Sequence, residues 1–170
     1  MKNGFFSNTG KIFMKLSPIK VIIIDDVKSY FNENMLSIAS ANGNICFERY
    51  YKCDGVLLKN LVENPRDILI MDIKGTVTSD IGKDGFDVVN HIYNNTNTFV
   101  ATTSAHKFHL KNRSNYGDYI ISERLMTPID FCDEINIMID KYLKQKTKLY
   151  QKIIFKIGKK LFKYGMNQPN

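Results

Sequence analysis

The sequence predicts an α/β protein built on a five-stranded, doubly wound parallel sheet with a C-terminal helical extension. Five short apolar runs alternate with longer segments in which apolar residues recur at helical spacing. Most of the runs are apolar at consecutive positions rather than at every second one, which is typical of parallel strands covered by helices on both faces. With 170 residues, 44% of them hydrophobic, the chain can bury the core of one domain.

The predicted strands are five runs dominated by apolar and β-branched residues. In chain order they read KVIIID, ICFERYY, DILIMD, TFVATTS and DYIIS, at 20–25, 45–51, 67–72, 98–104 and 118–122. Each run is short enough to cross a sheet once, as strands in a globular domain do.

The predicted helices lie between the strands and carry apolar residues three and four positions apart. They cover 29–42, 54–64, 85–95 and 130–144, with a further short helix at 105–113. Gly43 and Pro65 end the first two helices, and Pro128 precedes the last one.

Charge separates a basic C-terminal tail from the rest of the chain. The net charge is +7, but residues 141–170 hold nine of the 24 basic residues and no Asp or Glu, which leaves 15 basic and 17 acidic residues in 1–140. We therefore expect an N-terminal extension at 1–18, a folded domain at 19–144 and a basic amphipathic tail at 145–170.

The tail carries one apolar stripe surrounded by lysines. From Tyr150 onward its members are Ile153, Ile154, Ile157, Leu161 and Tyr164. Such a helix can extend the last helix of the domain, pair with a second copy in a homodimer, or contact an anionic membrane or an acidic partner. Non-specific attraction to nucleic acid is a further option, but sequence-specific DNA binding is not expected from the 26 residues after Lys144.

Cysteine spacing and the N-terminus indicate the compartment. Cys46, Cys53 and Cys132 are irregularly spaced and have no histidine at ligand spacing, so neither a zinc site nor a disulfide framework is indicated. We expect reduced, buried thiols in a cytoplasmic protein. The basic N-terminus lacks the uninterrupted apolar segment of a signal peptide, and no run approaches the ~18 apolar residues of a membrane span.

Polar side chains follow the predicted strands at the edge where such sheets bind ligands. They are Asp25 and Asp26 after the first strand, Asp72 after the third, Thr102, Thr103 and Ser104 after the fourth, and Ser122 after the fifth. Carboxylates brought this close repel unless a cation neutralises them, and ligation by oxygen alone suits Mg²⁺. A phosphoryl group could then bond to Asp72 while a hydroxyl donates to one of its oxygens.

The order of these residues resembles the receiver domain of two-component response regulators, over roughly 19–144. The matching positions are the acidic pair Asp25-Asp26, Asp72 at the end of the third strand, Ser104-Ala105 after the fourth strand and Asp84-Gly85 before the third helix. The resemblance implies a flavodoxin-like fold of receiver type and a signalling protein of a phosphorelay rather than an enzyme.

The resemblance also implies roles for individual residues. Asp72 would take a phosphoryl group from a histidine kinase or phosphotransfer protein, and Ser104, or else Thr102 or Thr103, would bond that group. The implied Mg²⁺ ligands are Asp26 with Asp25 assisting, Asp72 and the backbone carbonyl of Lys74. A surface that differs between the two states would contact a downstream protein target, with the basic tail as part of it.

Two features depart from the receiver pattern. Receivers carry a lysine before a proline after the fifth strand, whereas this chain has Thr127 before Pro128 and Ser122 at the strand end. The loop between Asp72 and Asp84 is also longer than usual. The candidate replacements for the lysine are Lys107, Lys111 and Arg113. A second hypothesis follows, in which a degenerate receiver acts as an interaction module without phosphorylation.

A third hypothesis comes from DIKGTVTS at 72–79, which also resembles the first motif of haloacid dehalogenase-type phosphatases. Those enzymes carry a second Asp two residues after the nucleophile, and here that position is Lys74. The group that would protonate the leaving oxygen and activate water is therefore missing. Their motif also ends the first strand of the sheet, whereas here Asp25 and Asp26 precede Asp72. Phosphatase activity is the weaker hypothesis.

Overall fold

The computed structural model describes residues 17–104, 117–121 and 125–165, with the backbone alone for 42 and 154–165. All five strands pair in parallel: β1 (Ile19–Ile24), β2 (Ile45–Tyr50), β3 (Ile68–Asp72), β4 (Phe99–Thr103) and β5 (Tyr119–Ile121). Their order across the sheet is β2-β1-β3-β4-β5. The predicted parallel sheet is confirmed, and each strand end lies within one residue of its predicted position.

Helices cover both faces of the sheet. They are α1 (Glu33–Asn42), α2 (Gly55–Glu63), α3 (Gly85–Asn95) and α4 (Pro128–Gly165). One core forms between the sheet and the pair α1 and α4, and a second core forms between the sheet and the pair α2 and α3. Strand residues alternate between the two: Ile23 and Ile70 belong to the first core, Ile24 and Met71 to the second. The doubly wound architecture is therefore confirmed.

The last helix, α4, runs antiparallel to the strands and continues past the sheet. Near its start, Phe131 packs on Phe31, which follows β1, with ring centroids 5.6 Å apart. Further along, Tyr142 donates a hydrogen bond to Asp67, the residue before β3. Lys146 lies 3.5 Å from the same carboxylate. Beyond Lys146 the helix extends by roughly 28 Å at its rise of 1.5 Å per residue.

Two helical predictions differ from the structure. The first helix begins at Glu33 rather than at 29, because Asn32 caps it by accepting from the Met35 N–H at 3.1 Å. Phe31, just before the cap, has a positive φ of 47°. The last helix, predicted for 130–144, is one continuous element through the tail. The predicted domain limits at 18 and 144 stay predictions, and the predicted helix at 105–113 lies outside the described residues.

The cysteines are all free, as expected, but only Cys53 is buried. Cys46 is exposed and Cys132 is partly exposed, so the prediction of buried thiols is wrong for both. Cys46 lies on the edge strand β2, which has a neighbour on one side only. Within the described ranges, no helix has both the length and the apolar character needed to cross a bilayer.

Candidate functional site

Three carboxylates meet at the carboxyl edge of the sheet, between β1 and β3. Asp25 follows β1, Asp26 comes next and Asp72 is the last residue of β3; one oxygen from each lies within 4.8 Å of the others. Asp25 and Asp72 are 0% and 1% exposed, whereas Asp26 faces solvent. Because β2 and β3 flank β1 on opposite sides, this is the point where ligands bind in doubly wound sheets.

The donor set of this cluster fits a hard divalent cation. Two buried carboxylates this close repel each other unless a positive charge lies between them. Carboxylate oxygens are ligands that Mg²⁺ prefers, and among the described residues no histidine or cysteine joins the cluster. Asp25, Asp26 and Asp72 could therefore hold Mg²⁺. Lys74, whose carbonyl the resemblance adds as a ligand, lies in the turn after Asp72, and its N–H is 3.5 Å from the Asp72 Oδ1.

Strand alternation puts Thr103 on the same face as Asp72. Alternate residues of a strand lie on the same face of the sheet, so Asp72 lies on the face of Ile70 and Thr103 on the face of Ala101. Ile70 and Ala101 both belong to the first core, so these two faces are the same. The register of the two strands pairs Asp72 with Thr103, and the Ile73 N–H donates to the Thr103 carbonyl at 3.1 Å. A hydroxyl-bearing side chain is thus held next to the proposed phosphoacceptor.

The Thr103 hydroxyl has unused hydrogen-bonding capacity. The residue is 0% exposed, and its Oγ1 has no partner within the described part of the chain. Burying a hydroxyl without a partner costs ~1–3 kcal/mol, so an oxygen ligand would be favoured here. Ser104 is also buried and follows the strand, while Thr102 belongs by alternation to the opposite face. The register therefore places Thr103, rather than Ser104, directly beside Asp72.

A glycine holds the loop after β3 against the acidic pair. Gly75 has a φ of +76°, and a Cβ added there would lie 2.3 Å from the Asp26 Oδ2. The next residue, Thr76, is buried and donates through Oγ1 to the Asp72 carbonyl at 2.7 Å. The turn is therefore packed on one carboxylate and hydrogen-bonded to the main chain of another.

The Asp84-Gly85 pair brings α3 against the end of β3. A Cβ on Gly85 would lie 2.5 Å from the Asp72 carbonyl oxygen, so only glycine allows this approach. The Gly85 N–H donates to the Ile73 carbonyl at 2.8 Å. Asp84 caps α3, and Asp87 completes a capping box with it. The residues that carried the resemblance thus have a packing role beside the site.

The long loop after β3 pairs with the segment that follows β2. Val77 forms a parallel bridge with Cys53, whose N–H donates to the Thr76 carbonyl at 2.6 Å. Burial, together with the charges of Asp54 and Asp80, raises the pKa of the Cys53 thiol to about 12. The thiol stays protonated at neutral pH and is not a nucleophile. Nothing in the loop sequence predicted the bridge, because one isolated valine has no strand periodicity.

Arg49, which no sequence motif identified, holds the loop after β1 that carries the acidic pair. Arg49 of β2 donates to the carbonyls of Val27 at 2.8 Å, Phe31 at 3.0 Å and Lys28 at 3.3 Å. The Val27 N–H in turn donates to the Asp25 Oδ1 at 2.9 Å. Arg49 is therefore a positioning residue for the acidic pair. The available signal was a charged side chain within the strand-like run ICFERYY.

Thr127, one of the two residues that the resemblance aligns with the receiver lysine, caps the last helix. The Thr127 hydroxyl donates to the Asp130 Oδ2 at 2.7 Å and accepts from the Asp130 N–H at 3.2 Å, which starts α4. Ser122 lies outside the described residues. The candidate replacements for the receiver lysine also lie outside them: Lys107, Lys111 and Arg113.

Solved receiver domains superpose on this arrangement of strands and helices. The signal receiver domain of a putative LuxO repressor protein from Vibrio parahaemolyticus gives a TM-score of 0.57 at 12% identity, covering 76% of this chain and 96% of that one. The response regulator domain of Thermotoga maritima CheB gives 0.54 at 16% identity, covering 74% and 96%. The chain has the receiver fold. No protein-family model and no curated protein matches the sequence.

A third solved structure extends the match beyond the receiver fold. It is described as a trimeric coiled-coil segment of yeast Spc42 fused to another structure, with a TM-score of 0.60 at 18% identity. The match covers 91% of this chain and 100% of that one, more than either receiver domain covers. A match of this extent must include residues beyond 144, where α4 continues. At these identities the comparisons establish the fold.

Proposed function

We propose that this chain is a phosphoacceptor of a two-component phosphorelay that takes a phosphoryl group on Asp72 with Mg²⁺ and signals through protein contacts. The observation that carries the proposal is the meeting of Asp25, Asp26 and Asp72 at the β1/β3 switch point of a receiver fold. The buried hydroxyl of Thr103 beside Asp72, which has no hydrogen-bond partner among the described residues, supports it.

In the proposed mechanism, a carboxylate oxygen of Asp72 attacks the phosphorus of a phosphohistidine on a histidine kinase or phosphotransfer protein. An O–P bond forms as the P–N bond breaks, and the electron pair of that bond leaves with the imidazole. Asp25, Asp26 and Asp72 would hold Mg²⁺, whose positive charge would offset the negative charge of the transferring phosphoryl oxygens. The hydroxyl of Thr103 or Ser104 donates to one of those oxygens, while Gly75 and Arg49 hold the acidic pair in place.

The signal then passes to β4 and the segment after it. A phosphoryl group on Asp72 adds charge and three acceptor oxygens next to Thr103, whose hydroxyl has no acceptor within the described part of the chain. The new hydrogen bond favours a conformation in which the end of β4 lies closer to Asp72. A downstream protein target that binds this surface in one state better than in the other reads the change. All of these partners are expected in the cytoplasm.

A second candidate is a receiver that works without phosphorylation. The observation in its favour is that Thr127, the residue before Pro128, caps α4, whereas the receivers that this chain resembles carry a lysine before a proline after the fifth strand. Without that cation, phosphorylation would have a weaker link to conformational change. In this case the acidic cluster is a structural remnant, and the surface of the domain binds its partner in a single state.

The test is the intact mass of the protein after incubation with Mg²⁺ and acetyl phosphate or phosphoramidate. Wild type should gain one phosphoryl group, and Asp72→Asn should gain none. Asp80→Asn is the matched control, because Asp80 is an exposed acid in the same loop that stands outside the cluster. It should be phosphorylated like wild type.

Two outcomes would contradict the proposal. Absence of any adduct, with no binding of a beryllofluoride probe either, would favour the phosphorylation-independent module. Rapid release of phosphate from many small phosphoesters, abolished in Asp72→Asn, would instead indicate a phosphatase.

A further inference from the structure

The second half of α4 leaves the folded domain with apolar side chains in solvent. Leu149, Tyr150 and Ile153 are 42%, 55% and 44% exposed, and all three follow the ion pair between Lys146 and Asp67. A single helix with no tertiary packing is marginal in water at this length. These exposed apolar side chains are therefore available to another surface.

Residues after Tyr150 separate into two arcs around the helix axis. At about 100° per residue, one arc of about 100° holds every charged residue: Lys152, Lys156, Lys159, Lys160 and Lys163. The opposite arc is about 200° wide and contains no charged residue. Besides Tyr150, Gln151, Gly158 and Gly165, it holds only large apolar residues: Ile153, Ile154, Phe155, Ile157, Leu161, Phe162 and Tyr164. The segregation is complete, and no acidic residue occurs between 141 and 170.

A second copy of the helix would leave much of this arc uncovered. A coiled-coil seam uses only positions three and four apart: Tyr150, Ile154, Ile157, Leu161 and Tyr164. Phe155 and Phe162 fall outside the seam and would stay in water. A bilayer surface, in contrast, accepts a wide apolar arc and offers anionic headgroups to the lysines.

We propose that residues 150–165 bind the surface of an anionic lipid bilayer, with the helix in the plane of the interface and its apolar arc inserted among the acyl chains. The extension starts at the amino edge of the sheet, near Asp67, and the acidic cluster lies at the carboxyl edge. Attachment through the tail therefore leaves the cluster open to protein partners. The proposal does not depend on phosphorylation of Asp72.

Co-sedimentation of the full chain with lipid vesicles tests the proposal. At low salt the protein should sediment with vesicles of phosphatidylcholine mixed with phosphatidylserine and stay in solution with phosphatidylcholine alone. Phe155→Ala/Phe162→Ala should bind the mixed vesicles about tenfold more weakly or worse, because each ring removed reduces the buried apolar area. Charge removal is tested by Lys152→Gln, Lys156→Gln, Lys159→Gln and Lys163→Gln together, with about a fivefold loss expected for each lysine.

Three outcomes would overturn the proposal. The first is that the wild-type protein is folded, as judged by circular dichroism, but does not sediment with the mixed vesicles. The second is equal binding by wild type and the phenylalanine variant, which would mean that lysines adsorb without insertion. The third is a stable oligomer, detected by light scattering, that wild type and the phenylalanine variant form equally and that does not bind vesicles. In that case a coiled coil would cover the apolar stripe.

Discussion

Replacing Thr103 with valine should stabilise the protein while weakening its hold on a phosphoryl group. Valine has nearly the shape of threonine, so Thr103→Val removes a buried hydroxyl that has no partner in the described chain and leaves packing unchanged. The desolvation penalty relieved is ~1–3 kcal/mol. For a domain of this size, each kcal/mol raises the midpoint of thermal unfolding by about 2–4 °C.

The assay is thermal unfolding followed by circular dichroism, without Mg²⁺ or phosphodonor, with Thr76→Val as the matched control. Thr76 is also buried and also lies beside Asp72, but its hydroxyl donates to the Asp72 carbonyl at 2.7 Å. Thr76→Val should therefore lower the midpoint, opposite in sign to Thr103→Val. If both variants unfold at lower temperature by similar amounts, the Thr103 hydroxyl has a partner in the folded protein and the reasoning fails.

Three further predictions concern the loops and the far edge of the sheet. Gly75→Ala should weaken Mg²⁺ binding, measured by calorimetric titration, because the new Cβ would push Asp26 out of the cluster and the positive φ would be strained; unchanged affinity would show that Asp26 is no ligand. Arg49→Lys should cost about 2 kcal/mol in urea unfolding and also weaken Mg²⁺ binding, because an ammonium cannot reach three carbonyls at once; a loss of stability alone would separate Arg49 from the site. Partial burial disfavours ionised Asp67, but hydrogen bonds from a backbone N–H and a tyrosine hydroxyl and the charge of Lys146 outweigh it and hold its pKa below the ordinary 3.8. Its stabilising contribution is therefore present above about pH 4 and lost as pH falls through the lowered pKa, so Asp67→Asn should flatten the acid limb of urea stability, and an unchanged limb would contradict this.

The sheet could be predicted from the sequence because its central strands are buried on both faces. Every residue of β3 and β4 is buried, so the apolar run and the strand nearly coincide. The first helix shows where this fails. The apolar spacing predicted that the helix begins at residue 29, but Asn32 caps the helix. The apolar residues before the cap, Tyr30 and Phe31, pack on the core from the loop. Apolar character reports burial, and a capping hydrogen bond decides where a helix begins.

The acidic residues of the site could also be predicted, because strand ends place Asp25 and Asp72 at one edge whatever the details of packing. The neighbouring hydroxyl could not, since choosing between Thr103 and Ser104 needs the register of β3 against β4. The role of Arg49 could not be predicted from the sequence for a similar reason. Its three carbonyl partners lie about twenty residues away and come together only once β1 and β2 pair.

The central claim, that Asp72 carries the phosphoryl group, is tested most directly by locating the modification within the chain. After treatment with Mg²⁺ and acetyl phosphate, borohydride reduces an aspartyl phosphate to homoserine, and trypsin then releases the peptide 67–74. That peptide contains two aspartates at opposite edges of the sheet, Asp67 and Asp72. Homoserine at 72 alone is the predicted result. Homoserine at 67, or an unreduced peptide from a protein shown by its mass to be phosphorylated, would contradict the claim.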